Sequence, residues 1–339
     1  DFVVVPLGKR ERIGVVWSLE ANDPNLQTEK IKPVLAKLDL PPLNDETLNF
    51  IDWVARYTLQ PAGAILKMTL SVPKALESEE FKTAYKYKEP TDQNVCAKLT
   101  PQRKRVLAFL KDLPPMALGD IKKEAGVSAG VIKGLVEQGL VEEIQLQAST
   151  PFQKPDFDRK GYELAKQQKN AVDHLVHVMQ QSRTESGFNV TLLDGVPGSG
   201  KTEVYFEAIA QALRQNQQVL VLLPEIALST QWLERFKKRF GCEPAVWHSE
   251  VSLARKKQTW RAVIRHDVSV LVGARSALFL PYKNLGLIIV DEEHDASFKQ
   301  EEGVIYNGRD MAVVRAQQAR CPIILASATP SLESVTNSW

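Results

Sequence analysis

Residues Gly195-Val196-Pro197-Gly198-Ser199-Gly200-Lys201-Thr202 fit G-x-x-x-x-G-K-[ST] at every fixed position. Glycines at this spacing let backbone N–H groups turn inward and close on a triphosphate. In that reading Gly195, Gly198, Ser199, Gly200, Lys201 and Thr202 bind nucleotide: Lys201 reaches the β- and γ-phosphates and the Thr202 hydroxyl holds Mg²⁺. The alternative is a glycine-rich turn joining a strand to a helix. Asp291-Glu292-Glu293-His294 directly follows the apolar run Leu287–Val290. A carboxylate there can reach Mg²⁺, and a second can orient and deprotonate an attacking water. Asp291 is therefore assigned to the metal and Glu292 to the base, with His294 counted in the catalytic set beside Lys201. The alternative is an acidic first turn of a helix. Ser327-Ala328-Thr329 follows Ile323–Ala326; hydroxyls there can bond the acidic motif and report the state of the γ-phosphate, although Ser-Ala-Thr-Pro is also an ordinary loop. Upstream, the Gln168 amide suits the edge of adenine, and without other context a surface glutamine is the plainer reading.

Chemistry of this kind needs strands whose carboxyl ends lie side by side. From about residue 160 the chain alternates strand and helix patterns, which predicts an α/β lobe with a parallel sheet. Strands are predicted at Val190–Leu193, Val219–Leu223, Ala245–Trp247, Val268–Val272, Leu287–Val290 and Ile323–Ala326. Two are almost wholly apolar, as strands covered on both faces should be. A helix is predicted over Val204–Leu213, pointing its positive end at the phosphate loop.

The rest of the chain predicts further domains. Phe2–Val5 and Ile13–Trp17 flank a polar turn, Gly8 to Arg12, and read as a hairpin; Asn44 to Thr47 offer caps to a helix carrying Leu48, Ile51, Val54 and Ala55 on one face. Residues 1–74 are taken as a β-rich domain and 75–97 as a linker. Residues 98–150 predict a winged helix: a Thr100-Pro101 start, helices over Val106–Leu110 and Leu118–Ala125, a third capped by Ser128, then a strand pair. The third helix has Lys133 as its only cation, so a structural or protein-binding wing is favoured over a major-groove reader. Residues 151–339 complete the multidomain α/β reading as a P-loop lobe.

Hydrophobic residues make up 44% of the 339 and charged residues 25%, with a net charge of +2. Any nucleic-acid surface must come from local clustering. The three cysteines, Cys96, Cys242 and Cys321, offer neither a disulfide framework nor a zinc pair, which fits a reducing cytoplasm. No run approaches a membrane span of about 18 apolar residues, so no membrane partner is expected. Asp1 lies inside a strand pattern and Trp339 soon after another, so both ends read as cut.

Phosphate loop, Asp-Glu-Glu-His and Ser-Ala-Thr, in that order, resemble the first motor lobe of superfamily 2 helicases. Leu223–Gln231, Trp247-His248-Ser249, Gly273–Phe279 and Asp291–Gln300 resemble more narrowly the PriA family of bacterial replication-restart helicases, as does the domain order. The match is strong over 160–339 and weaker over 1–98, where it rests on Val5–Lys9 and Lys32. The resemblance implies ATP-driven 3′→5′ movement on stalled or forked DNA, primosome assembly, single-strand-binding protein and other primosome proteins as partners, and a cytoplasmic bacterial setting. It implies adenine contact by Gln168 and 3′-end recognition around Gly8, Lys9 and Lys32. Arg275 is expected to track a single strand. Ser297–Asp310 would be an aromatic-rich, DNA-sensing loop, with Phe298 and Tyr306 as stacking faces, Lys299 and Arg309 as charge, and Ser327 and Thr329 coupling it to hydrolysis.

The chain departs from the family at Val304, where an aromatic or proline is common, and at Asn307, where histidine is usual. The start of the first domain and the second motor lobe, with its arginine finger and zinc-binding cysteines, are expected to be missing; zinc would belong only to that absent region. An arginine of this kind can be worth ~10³–10⁵ in turnover. The fragment is expected to bind ATP and DNA, hydrolyse poorly and unwind nothing. The alternatives are a duplex translocase and a non-catalytic fork-binding scaffold.

Overall fold

In the N-terminal region the apolar run Phe2–Leu7 (β1) and Arg10–Val15 (β2) form an antiparallel hairpin, with Leu7 paired to Arg10. The polar turn is shorter than expected: Gly8 and Lys9 alone make it, and Gly8 takes a φ of +63° that favours glycine. Ala36–Lys37 (β3) adds to β1. Asn44 caps Asp45–Tyr57 (α1), its side chain accepting from the Thr47 amide at 3.1 Å. Ala62–Thr69 (α2) follows. This computed structural model describes residues 1–19, 31–77, 81–89, 99–111, 113–147, 152–181, 187–224 and 230–337. Residues 225–229 of the segment Leu223–Gln231 and part of the linker (78–80 and 90–97) lie outside them, as does Cys96.

Ser78–Thr150 forms one compact unit. Three helices, Pro101–Leu110 (α3), Leu118–Ala125 (α4) and Ala129–Glu137 (α5), enclose Val106, Leu107, Leu110, Ile121, Ile132 and Leu135. Thr100 caps α3 as expected, but the Ser128 side chain makes no capping bond to α5. Part of the assigned linker is a strand: Phe81–Tyr87 (β4) pairs antiparallel with Val141–Gln147 (β6) and also with Met116–Ala117 (β5). The sheet partner of β6 therefore comes from before the helices, not after them. Tyr85 and Tyr87 pack on the helical core while the intervening Lys86 stays exposed, a period of two that the surrounding charges disguise.

Asp1–Glu77 and Pro151–Trp339 together form the second compact unit. Its centre is a parallel sheet of Asn189–Asp194 (β7), Gln218–Leu222 (β8), Ala245–Trp247 (β9), Val270–Gly273 (β10), Leu285–Asp291 (β11) and Pro322–Ser327 (β14), in the order β7-β14-β11-β8-β10-β9; Lys299–Gln300 (β12) and Tyr306–Asn307 (β13) pair apart from it. All six expected strands are present, β10 starting two residues later than predicted. Val219, Val221, Leu287, Ile289, Ile324 and Ala326 face a core roofed by Lys166–Gln181 (α6), Lys201–Arg214 (α7) and Thr230–Phe240 (α8). Leu220, Leu222, Ile288, Val290, Ile323 and Leu325 face the other core, with Leu253–Arg265 (α9) and Gly308–Gln318 (α10).

That second core continues into the N-terminal region, which sequence reading had treated as a separate domain. Phe2, Phe50, Ile51, Val54 and Ile65 are buried in it. The Trp260 indole donates to the Thr69 carbonyl at 2.8 Å, and Asn44 to that of Tyr282 at 3.1 Å. Arg315, 1% exposed, donates to Thr47 Oγ1 at 2.9 Å and the Glu46 carbonyl at 3.3 Å, over the Phe50 ring. Burial pulls its pKa down to about 10, against the attraction of Glu46. Lysine cannot reproduce this fork. Arg315→Lys is expected to lower stability by about 2 kcal/mol, seen as a lower denaturant midpoint at unchanged slope.

A candidate nucleotide site at the carboxyl ends of the sheet

Three neighbouring strands deliver the three motifs. β7 ends in the phosphate loop, β14 in Ser327 and β11 in Asp291, in the sheet order β7-β14-β11. The loop is tied to its neighbour where the Gly195 amide donates to the Ser327 carbonyl at 3.3 Å. Gly198 and Gly200 have φ of +78° and +84°, the left-handed region the closing loop requires. A side chain at Gly198 would meet nothing within 4 Å, so the loop is open on that side; one at Gly200 would collide with the Gln168 amide. Helix α7 starts at Lys201, and its first N–H groups have no partners within the helix. Lys201 Nζ donates to the Gly195 carbonyl at 2.6 Å, at the mouth of the loop.

Gln168 is not a free surface amide. It donates to the Ser199 carbonyl at 2.8 Å and accepts from the Ala165 amide at 2.7 Å, bracing the loop from the start of α6. These bonds occupy part of the donor and acceptor capacity that adenine recognition would use.

Asp291 Oδ2 accepts from the Tyr205 hydroxyl at 2.8 Å, and Oδ1 from the Glu292 amide at 3.1 Å. Burial pushes the Asp291 carboxyl above its ordinary range, helped by the Glu292 charge; the Tyr205 hydroxyl, the Glu292 amide and Lys201 act the other way. Glu292 has a φ of +49°, a conformation costing a non-glycine residue of order 1 kcal/mol and found most at working sites. Its carboxylate lies 3.7 Å from His294 Nδ1, which in turn lies 2.7 Å from Ser327 Oγ. Ser327 Oγ also accepts from the Thr329 amide at 3.0 Å. One hydroxyl thus joins His294 to the Ser-Ala-Thr turn, as the two spacings suggested.

Sequence reading missed three contributors. Tyr205 lies three residues after Thr202 on α7, and Trp232 Nε1 donates to its hydroxyl at 2.7 Å. The third is Glu293, 2% exposed, which accepts from the Ser331 amide at 2.7 Å, the Ser334 hydroxyl at 2.9 Å and Arg309 at 3.2 Å. The one local signal was the i, i+3 spacing of Thr202 with Tyr205 and of Ser331 with Ser334.

The aromatic-rich loop differs from expectation. Phe298 and Tyr306 are 2% and 4% exposed and belong to the core, with Tyr306 edge-on to Phe279 at 5.5 Å. They present no stacking face. Arg309 points inward to Glu293, Asp310 and Ser331. Arg275 donates to Gln300 Oε1 at 2.7 Å and to the carbonyls of Ser297 and Lys299, clamping the loop from inside. Asn307 caps α10, its side chain accepting from the Arg309 amide at 2.9 Å, which gives the residue a structural reason. Of the expected loop contacts only Lys299 remains outward, paired with Glu301. In the N-terminal region Gly8, Lys9 and Lys32 are all exposed. No helix among the described residues is long and apolar enough to cross a membrane.

Comparison with known proteins agrees with this geometry. Residues 165–338 match the DEAD/DEAH box helicase family, and residues 1–71 match the PriA 3′ DNA-binding domain. The chain is 36% identical to the replication restart protein PriA of Rickettsia conorii, over 99% of this chain and 40% of that protein. The corresponding figures are 34%, 99% and 45% for Chlamydia pneumoniae, and 34%, 99% and 46% for Haemophilus influenzae. The chain thus spans less than half the length of these relatives. On these matches, added to three motifs seated on adjoining strand ends, the chain belongs to the DEAD/DEAH box helicases, in their PriA replication-restart group.

Proposed function

We propose that this chain is the nucleotide-binding and DNA-end-binding part of an ATP-driven 3′→5′ DNA helicase that acts at stalled or forked DNA to restart replication. The observation that carries this reading is the placing of Lys201, Asp291 and Ser327 on neighbouring strand ends around an open phosphate loop. Gly195 to Thr202 would enclose the phosphates, with Lys201 leaving the Gly195 carbonyl for a phosphate oxygen. Thr202 and Asp291 would hold Mg²⁺, which neutralises charge on the β- and γ-phosphates. Glu292, aimed by its left-handed backbone, is the base for the attacking water. Gln168 braces the loop and retains capacity for one edge of adenine. His294, Ser327 and Thr329 carry the state of this site to the neighbouring turn.

The Gly8-Lys9 turn and Lys32 suit a strand end, and Lys299 suits a phosphate backbone. Primosome proteins and single-strand-binding protein are the expected partners in a bacterial cytoplasm, a reading supported by the relatives' designation as replication restart proteins.

The test is strand displacement by the complete polypeptide on a fork with a 3′ end at its junction. ATP-dependent unwinding is the expected result. Movement along duplex without displacement would identify a translocase, and fork binding with no turnover a scaffold. The 339-residue chain alone should turn ATP over poorly, and a rate near that of the complete protein would contradict this.

A further inference from the structure

The Tyr205 hydroxyl bonds one of the two groups read as metal ligands and lies one helical turn from the other. The phenol is fully buried. Its oxygen lies 2.8 Å from Asp291 Oδ2 and 2.7 Å from Trp232 Nε1, one helical turn along α7 from Thr202. The donor inventory fixes every direction in this group. An indole N–H only donates, so Tyr205 accepts from Trp232; an ionised carboxylate only accepts, so the single phenolic proton goes to Asp291. One oxygen thus holds the rotamer of Asp291, a helical turn from Thr202.

The scaffold around Tyr205 is stiff. Helices α7 and α8 are joined by Glu203–Arg235 at 2.9 Å and Glu207–Arg239 at 3.0 Å, and Phe206 packs edge-on against Trp232 at 5.6 Å. Trp232 is 6% exposed, so its bond to the phenol is sheltered from water.

We propose that Tyr205 is a positioning residue for the divalent cation, orienting Asp291 while itself touching neither metal nor nucleotide. The inference rests on the nucleotide-site reading above. Its content is narrower: removing one oxygen atom remote from the phosphates abolishes the contribution of the metal and spares that of the loop.

Tyr205→Phe isolates that atom, and binding of a fluorescent ATP analogue to this chain, with Mg²⁺ and with EDTA, reads the effect without turnover. The expected result is metal-free affinity within twofold of the unaltered chain and a Mg²⁺-dependent tightening at least fivefold smaller. Asp291→Ala should lose the same tightening, and adding Tyr205→Phe to it should change nothing more, since linked groups are not additive. Trp232→Phe removes the indole donor but keeps the phenol and its bond to Asp291; it controls for loosened packing and should retain most of the tightening. A Tyr205→Phe chain with full Mg²⁺ tightening overturns the inference alone, as does one that loses metal-free and metal-bound affinity equally. An unaltered chain that binds no nucleotide removes the underlying reading and this inference with it.

Discussion

Lys201→Ala is expected to reduce ATP turnover by the complete polypeptide about 10²–10³-fold, the range for removing one preorganised donor from a developing negative charge. The Lys201 ammonium rests 2.6 Å from the Gly195 carbonyl, so the fold already holds it at the rim of the loop. On binding, that single neutral acceptor would be exchanged for phosphate oxygens, and charge-assisted bonds of this kind are about twice as strong as neutral ones. The bond lost in the free protein is a half-exposed one within the loop, so the thermal midpoint should move little. Binding and rate therefore separate from folding. Steady-state hydrolysis and a fluorescent-nucleotide titration on the same preparation check this. Unchanged turnover would overturn the role given to Lys201, because no other cation in the loop can replace it.

Motifs whose geometry is local were legible in the sequence. A closing loop needs glycines at fixed offsets, and the φ of Gly198 and Gly200 bear out that need. Strands covered on both faces read as apolar runs, so β8 and β11 were visible within a residue or two. Their order in the sheet was not, because periodicity says which face is buried and never against what.

The failures follow the same line. Tyr205 reads as one more apolar residue of an amphipathic helix; its partners Trp232 and Asp291 are 27 and 86 residues away. Phe298 and Tyr306 stand among charges and look like exposed stacking faces. Packing decides otherwise: Phe279 takes Tyr306 edge-on, and Gly308 lets Phe298 lie close, since a Cβ there would be 3.3 Å from its ring. Likewise, helix α1 showed its apolar face in the sequence, while nothing local revealed that the face closes on α10 and the sheet. The core of the N-terminal region is shared with the lobe for that reason.

Glu293→Ala is expected to destabilise the second unit by about 3–5 kcal/mol, the range for breaking a buried ion pair by deleting one partner. The carboxylate is almost wholly inaccessible and receives Ser331 N at 2.7 Å, Ser331 Oγ at 3.2 Å, Ser334 Oγ at 2.9 Å and Arg309 Nη1 at 3.2 Å. Burial alone would push its pKa up, yet the Ser331 amide, the Ser334 hydroxyl and Arg309 together hold it below the ordinary glutamate value. The charged form is therefore the form the fold is built around. Truncation leaves the Arg309 guanidinium with the half-exposed Asp310 carboxylate and strips an acceptor from the first turn of Leu332–Asn337 (α11). Glu293→Gln keeps the volume and one acceptor oxygen but not the charge, and should lose roughly half as much. Denaturant unfolding gives both values, and hydrogen exchange locates them, with faster exchange expected at Arg309 and Ser331 before the strands of the sheet. A loss under 1 kcal/mol for Glu293→Ala would mean that water replaces the carboxylate without penalty. Arg309 would then be held by Asp310, Ser331 and the more distant Glu333, without the buried charge that anchors it, and could turn outward into the DNA-facing role expected of it.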